Sequence, residues 1–340
     1  MSNEPGTLGW VAAGGTPHDI GRALGRAGRT AVHRHLLGAT IWQRVTDPAH
    51  RPRLARMTAT VMARFPALWA EIEGLAEGLG LPVAQVMAWN CRGDLLASAP
   101  DGCTTVMLPG ERPVLAHNED GLPFFRGASF IAEVTPDGAP GFHAFCYPGS
   151  IPGHTFAFSQ AGLVQTVNNI RLTGVEPEVP RMVLGRAVLA ARDIGAALAV
   201  LAAHPDSGGF HFALSHVADR RIVSVEFGGG EVSAIEITAP SLHANHALHQ
   251  HRGVAHQIVT ASSRDRQARG EALLAAGAVD PLAILRDTGG PGLPIRRDAA
   301  DDPDDENTLA TAHFRVTEDG IEWSIHDRRA GAPSYAGKTA

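Results

Sequence analysis

Lysine is almost missing from this chain. Of 340 residues only Lys338, near the C-terminus, is one. That excludes a phosphate loop of the GxxxxGK[ST] type and leaves no lysine in the body of the sequence for a Schiff base. Cysteine is scarce as well. Cys91, Cys103 and Cys146 are odd in number with no close pair, which argues against a disulfide framework and against a cysteine-based zinc site. No run reaches about 18 apolar residues, so no membrane-spanning helix is expected. The opening MSNEPGTLGW has neither the basic start nor the apolar stretch of a secretory signal, and the expected location is cytoplasmic. A net charge of −6 and a pI near 6.3 leave no basic surplus for nucleic acid or an anionic membrane.

What is present is an ordinary globular composition, 44% hydrophobic and 19% charged, long enough for one large core or two smaller ones. Residues 16–98 read as helical. Thr16 can cap a helix that Pro17 opens, with Asp19 in its first turn and Ile20, Leu24, Ala27 and Ala31 at helical spacing. Further helices are expected over Pro52–Arg64, from Pro66 onward, and over Val83–Leu96. After Gly102 the pattern turns to short strands. Helices return near 181–204 and 263–287, and Thr308–Val316 with Gly320–Ile325 forms a closing strand pair. Strands in groups and helices in groups predict a layered α+β fold. Asp298–Glu306 reads as an acidic loop.

Asp101-Gly102-Cys103-Thr104-Thr105 sits where helical sequence gives way to strand sequence. Gly102 removes side-chain bulk and permits an unusual backbone dihedral. Attack of the Cys103 thiol on the Gly102 carbonyl, followed by hydrolysis, would leave Cys103 with a free α-amine. An α-amine ordinarily titrates at ~7.7–8.0 and can serve as general base near neutrality. Nucleophile and base would then belong to one residue. The competing reading is a small buried residue at the start of a strand.

Several motifs in order resemble the isopenicillin-N acyltransferase and carcinine hydrolase-like family (peptidase family C45) of N-terminal nucleophile (Ntn) hydrolases. They are Gly15-Thr16-Pro17-His18-Asp19-Ile20-Gly21, the segment around Cys103, His117-Asn118-Glu119-Asp120, and Gly162-Leu163 running to Asn168-Asn169. His243-Ala244-Asn245-His246, Arg266 with Glu271, and Thr308-Leu309 complete the set. The resemblance implies an αββα four-layer sandwich. Residues 1–102 would be a helical small subunit and 103–340 the catalytic large one, held together as a heterodimer after cleavage between Gly102 and Cys103. It implies Cys103 as nucleophile, Asp120 beside it, and Asn245 as oxyanion donor. Thr104, Thr105, Glu119, Asn168 and Asn169 would contact substrate. The implied reaction is hydrolysis or transfer of a small acyl amide or thioester, acyl-CoA included, without metal or organic cofactor.

Two departures stand out. Where the acyltransferase has Ser-Arg before its final Thr-Leu, this chain has Asp304-Asp305-Glu306-Asn307, and Glu119 replaces an aromatic residue. The expectation is a substrate with a cationic amine, such as a β-alanyl or aminoacyl amide. Two other classes compete: a metal-dependent hydrolase using the histidines between His243 and His256, and a non-catalytic binding protein on the same scaffold.

Overall fold

A computed structural model describes residues 8–97 and 102–339. Asp101 of the Cys103 motif lies outside them. The helices are α1 (Pro17–Ala31), α2 (Thr40–Val45), α3 (Arg51–Arg64), α4 (Pro66–Leu79), α5 (Val83–Asn90), α6 (Arg92–Leu95), α7 (Arg181–Val188), α8 (Ile194–Ala202), α9 (His251–Ala255), α10 (Ala261–Ala275) and α11 (Pro281–Leu285). The strands are β1 (Gly9–Gly15), β2 (Gly102–Leu108), β3 (Val114–Gly121), β4 (Phe130–Pro136), β5 (Phe142–Cys146), β6 (Phe156–Ser159) and β7 (Leu163–Asn169). They continue with β8 (Phe210–His216), β9 (Ile222–Gly228), β10 (Glu231–Glu236), β11 (Ser241–His243), β12 (Asn307–Thr317), β13 (Gly320–His326) and β14 (Tyr335–Thr339).

Thr16 does cap α1: its hydroxyl accepts from the Asp19 N–H at 3.2 Å and donates to the Asp19 carboxylate at 2.6 Å. A cap of this kind is worth ~1 kcal/mol. Glycines let α1 and α4 pack backbone to backbone. A Cβ at Gly21 would lie 1.9 Å from the Glu71 carbonyl oxygen, and one at Gly74 would lie 2.0 Å from that of His18. Glu71 of α4 turns inward to a buried ion pair with Arg186 of α7 at 2.9 Å.

The strands form two sheets. One has the order β1-β4-β5-β6-β7-β8-β9-β10, antiparallel except for β1 beside β4; the other has the order β11-β2-β3-β12-β13-β14. The sheets face each other. Phe156 and Phe158 of the first lie 6.1 and 5.6 Å from Phe314 of the second, and Thr105 of β2 meets Thr166 of β7. Period-two alternation then sends Val106, Ala116 and Leu242 to the far side of the second sheet, where they pack against Ile284, Leu285 and Ile295. Cys103 thus stands at the head of an inner strand, with the opposing sheet on one side and α10 and α11 on the other.

Three elements differ from the expectations raised by the sequence. The N-terminal segment is not purely helical, because β1 adds a parallel edge strand to the larger sheet. Its sequence, GWVAAGG, has little β-propensity of its own. The short helix α9 and the strand β14 were also not expected.

Candidate active site

Cys103 is buried in register with two acids on the adjacent strand: Gly102 pairs with Asp120 and Cys103 with Glu119. Residues opposite each other in an antiparallel pair share a face, so the neighbouring acids part company. Glu119 goes with the thiol, and Asp120 goes to the helix side.

On the thiol side, Cys103 Sγ lies 3.8 Å from Glu119 Oε2. That same oxygen is 3.1 Å from His117 Nε2, and Tyr147 donates its hydroxyl to Glu119 Oε1 at 2.7 Å. The tautomer of His117 follows from its neighbours. Thr105 donates its hydroxyl hydrogen to Asn168 Oδ1 at 2.7 Å, so its oxygen must accept from His117 Nδ1–H at 2.9 Å. His117 Nε2 therefore offers a lone pair to Glu119, and one proton is shared between them. Burial, assisted by the positive charge of Arg266, pushes His117 down to about 3, which keeps the imidazole neutral.

On the helix side, Asp120 Oδ1 accepts from the Thr308 hydroxyl at 2.6 Å, while Oδ2 has no hydrogen-bond partner among the described residues. Burial raises its carboxyl against the opposing pull of Arg266. Arg266 of α10 reaches the Cys103 carbonyl oxygen, the Thr104 hydroxyl at 2.8 Å and Asn245 Oδ1 at 2.6 Å.

Asn245 closes the ring. Its Oδ1 accepts the Cys103 backbone N–H at 2.9 Å, while its buried Nδ2 has no partner among the described residues. Its segment is firmly anchored. Glu226 accepts from the backbone N–H groups of Leu248, His249 and Gln250 and from His243 Nε2 at 2.6–2.9 Å. Burial alone would raise that carboxyl, but the His243 hydrogen bond and the amides hold it down to about 2.

Gly102 is required by space. A Cβ there would lie 2.5 Å from Glu306 Oε2 and 3.2 Å from Asp120 Cβ. Glu306 is the buried end of an otherwise largely exposed acidic loop. Burial raises it to about 7, although Arg171 and Arg297 each stand 3.6 Å away. The cation missing from the linear motif is thus returned in space by arginines from elsewhere.

Thr104, Thr105, Glu119 and Asn168 all lie within this network. Among the described residues Asn169 accepts from Arg181 at 2.6 Å, near a cavity of about 430 Å³ that Asp94, Leu172 and Gly208 help to line. That cavity does not include Cys103. The histidines from His243 onward do not converge. His243 binds Glu226, His246 binds Ser263, and His249 binds Ser224 and Ser233. Cys91 and Cys146 are buried thiols that burial pushes up. Sequence reasoning assigned no role to His117, Tyr147 or Glu226, and read Glu306 only as part of the acidic run before Thr308. Only His117 had a signal there, since a residue two positions before Glu119 on a strand shares its face.

A buried cysteine whose backbone N–H and C=O are held by an asparagine and an arginine, with an idle amide donor alongside, is equipment for acyl chemistry. The fold joins two facing sheets to N-terminal helices in an α+β arrangement, and the family match gives the class, acyltransferases and amide hydrolases. Residues 107–330 match the family described as AAT, acyl-coenzyme A:6-aminopenicillanic acid acyl-transferase, and the chain belongs to that family. The matched span begins just after Cys103. The chain is also similar to beta-alanyl-dopamine/carcinine hydrolase of Drosophila melanogaster, 26% identical over 214 residues. That covers 55% of this chain and 55% of the relative, so the chain spans about half the length of the relative it matches.

Proposed function

We propose that this protein is a self-cleaving Ntn-type amide hydrolase with the four-layer αββα arrangement, acting through Cys103. The observation that carries the reading is the divided amide of Asn245: its oxygen holds the Cys103 N–H at 2.9 Å while its buried nitrogen has no described partner. In self-cleavage the Cys103 sulfur attacks the Gly102 carbonyl carbon, the C–N bond breaks, and the nitrogen takes up a proton. Water then hydrolyses the Gly102 thioester, leaving a carboxylate on Gly102 and a free amine on Cys103. In turnover that amine takes the thiol proton. The thiolate attacks the substrate amide, the leaving amine is protonated, and water releases the acyl group. Asn245 Oδ1 keeps the amine oriented and Nδ2 donates to the oxyanion, with Arg266 fixing the asparagine. Asp120 supports the backbone from the helix side.

Residues 1–102 stay bound to 103–340 as a heterodimer, supported by strand β1 in the larger sheet and the Glu71–Arg186 pair. Hydrolysis of a β-alanyl amide is preferred over transfer because the similar fly protein is named a beta-alanyl-dopamine/carcinine hydrolase. The preference for a β-alanyl amide, with its cationic amine, rests on that relative and not on a free acid at the site. Glu306 and Asp120 face Arg171, Arg297 and Arg266, and Glu119 is engaged by His117 and Tyr147.

Intact mass spectrometry tests the reading. Wild type should give two fragments meeting at Gly102/Cys103, and Cys103→Ala a single chain. Active wild type with an uncut chain would sink it in favour of another mechanism. An uncut chain without activity on any acyl amide or acyl-CoA would favour a binding protein.

A further inference from the structure

The thiol side of the site has a second property that amide hydrolysis does not require. Cys103 Sγ, His117 Nε2 and Glu119 Oε2 all lie within 4.8 Å of one another, at 3.8 Å for sulfur to oxygen and 3.1 Å for nitrogen to oxygen. Ligands around a tetrahedral zinc ion, with bonds of about 2.0–2.3 Å, stand about 3.3–3.6 Å apart. The sulfur–oxygen and nitrogen–oxygen spacings need adjustments of only a few tenths of an ångström, while sulfur and nitrogen stand within 4.8 Å of each other.

The outer contacts also suit a metal. The remaining nitrogen of His117 donates to Thr105, which fixes the lone pair of Nε2 toward the other two ligands. The remaining oxygen of Glu119 is held by the Tyr147 hydroxyl. Such secondary hydrogen bonds are what orient metal-binding histidines and carboxylates. Charge closes as well: one thiolate and one carboxylate neutralise a divalent cation, so no net charge is left buried.

We propose that Cys103, His117 and Glu119 form a three-ligand site for a borderline-soft divalent cation of the Zn²⁺ type, whose binding reversibly silences the Cys103 thiol. Binding displaces two protons to solvent, the thiol proton and the one shared by His117 and Glu119. No electrons move. The three-ligand site stands on geometry alone. A fourth donor, the α-amine of Cys103, rests on the self-cleavage reading and would make the cut protein bind more tightly than an uncut one.

Anaerobic titration of the purified protein with Co²⁺ tests the site. One equivalent should produce visible bands of tetrahedral cobalt and a near-ultraviolet thiolate charge-transfer band, both removed by competing Zn²⁺. Cys103→Ser should abolish the charge-transfer band. Tyr147→Phe keeps all three ligands and should weaken binding about 10–100-fold. Zn²⁺ should stop turnover, and a chelator should restore it. The site is overturned by absence of a tetrahedral cobalt spectrum, by a spectrum that survives His117→Ala combined with Glu119→Gln, or by unchanged affinity in Tyr147→Phe. Turnover that rises with Zn²⁺ overturns the silencing. Failure of self-cleavage is read separately, as a single uncut mass, and leaves the cobalt result to stand on its own.

Discussion

Replacing Glu306 with glutamine should make the folded chain gain stability relative to wild type as the solution becomes alkaline. Burial lifts this carboxyl from an ordinary 4.5 to about 7, despite three nearby arginines. Between those two values the folded protein keeps a proton that the unfolded chain has released. Stability therefore falls as pH rises from about 4.5 to about 7, and the full cost remains above it. A difference of about 2.5 pKa units at ~1.4 kcal/mol each amounts to ~3 kcal/mol. Glutamine has nearly the same shape and does not titrate. Near pH 4.5 the variant should match wild type, and at about pH 8 it should be more stable by up to ~3 kcal/mol. Urea unfolding in the Cys103→Ala background measures this on a single chain. Parallel pH profiles, or a variant less stable than wild type in the alkaline range, would refute the reasoning. Either result would mean that Arg171 and Arg297 hold the carboxylate ionised and that desolvation does not win.

Three further outcomes are expected. Asn245→Ala should lower kcat by ~10²–10³, the usual cost of one oxyanion donor, and steady-state kinetics on correctly cut protein would check it. Gly102→Ala should slow or stop self-cleavage, because its Cβ would come within 2.5 Å of Glu306 Oε2. A mass-spectrometric time course would follow this, and adding Glu306→Ala should restore part of the rate by removing the nearest obstruction. Glu71→Ala should cost ~3–5 kcal/mol by stranding the buried Arg186 charge, read as a lower denaturation midpoint.

Much of the scaffold was legible in the sequence because it rests on local rules. The Thr16 cap, the helix opened by Pro66 and the short β-like run after Gly102 each specify their element with few neighbours. Strand β1 was not legible: seven small or mixed residues become a strand only because β4 offers an edge to pair with. The site divides in the same way. Cys103, Glu119, Asp120 and Asn245 were found as motif members. Tyr147 and Arg266 act through contacts across 28 and 163 positions of chain, and Glu306 meets Arg171 just beyond β7 of the other sheet. No local pattern encodes such contacts. Gly102 was singled out for its missing side chain, and the space it leaves is filled by a carboxylate that reads in the sequence as part of an acidic loop.

The pleat explains why two adjacent acids take on unlike chemistry. Glu119 faces the opposing sheet among His117, Thr105, Asn168 and Tyr147, groups that share protons and carry little net charge. Asp120 faces the helices among Arg266, Arg297 and Thr308, groups that balance fixed charges. The bond between Gly102 and Cys103 lies on the border. The Cys103 sulfur points to the proton-sharing side, while its carbonyl oxygen is held from the ion-paired side by Arg266. A thiol can therefore lose its proton on one face without disturbing the ion pairs that hold the strand on the other. Exchanging the residues at 119 and 120 would keep composition, net charge and an acid on each face. It would leave the acid on the thiol face one methylene short of His117 and Tyr147 and the acid on the helix face one methylene too long for Thr308, and it should lower both self-cleavage and turnover.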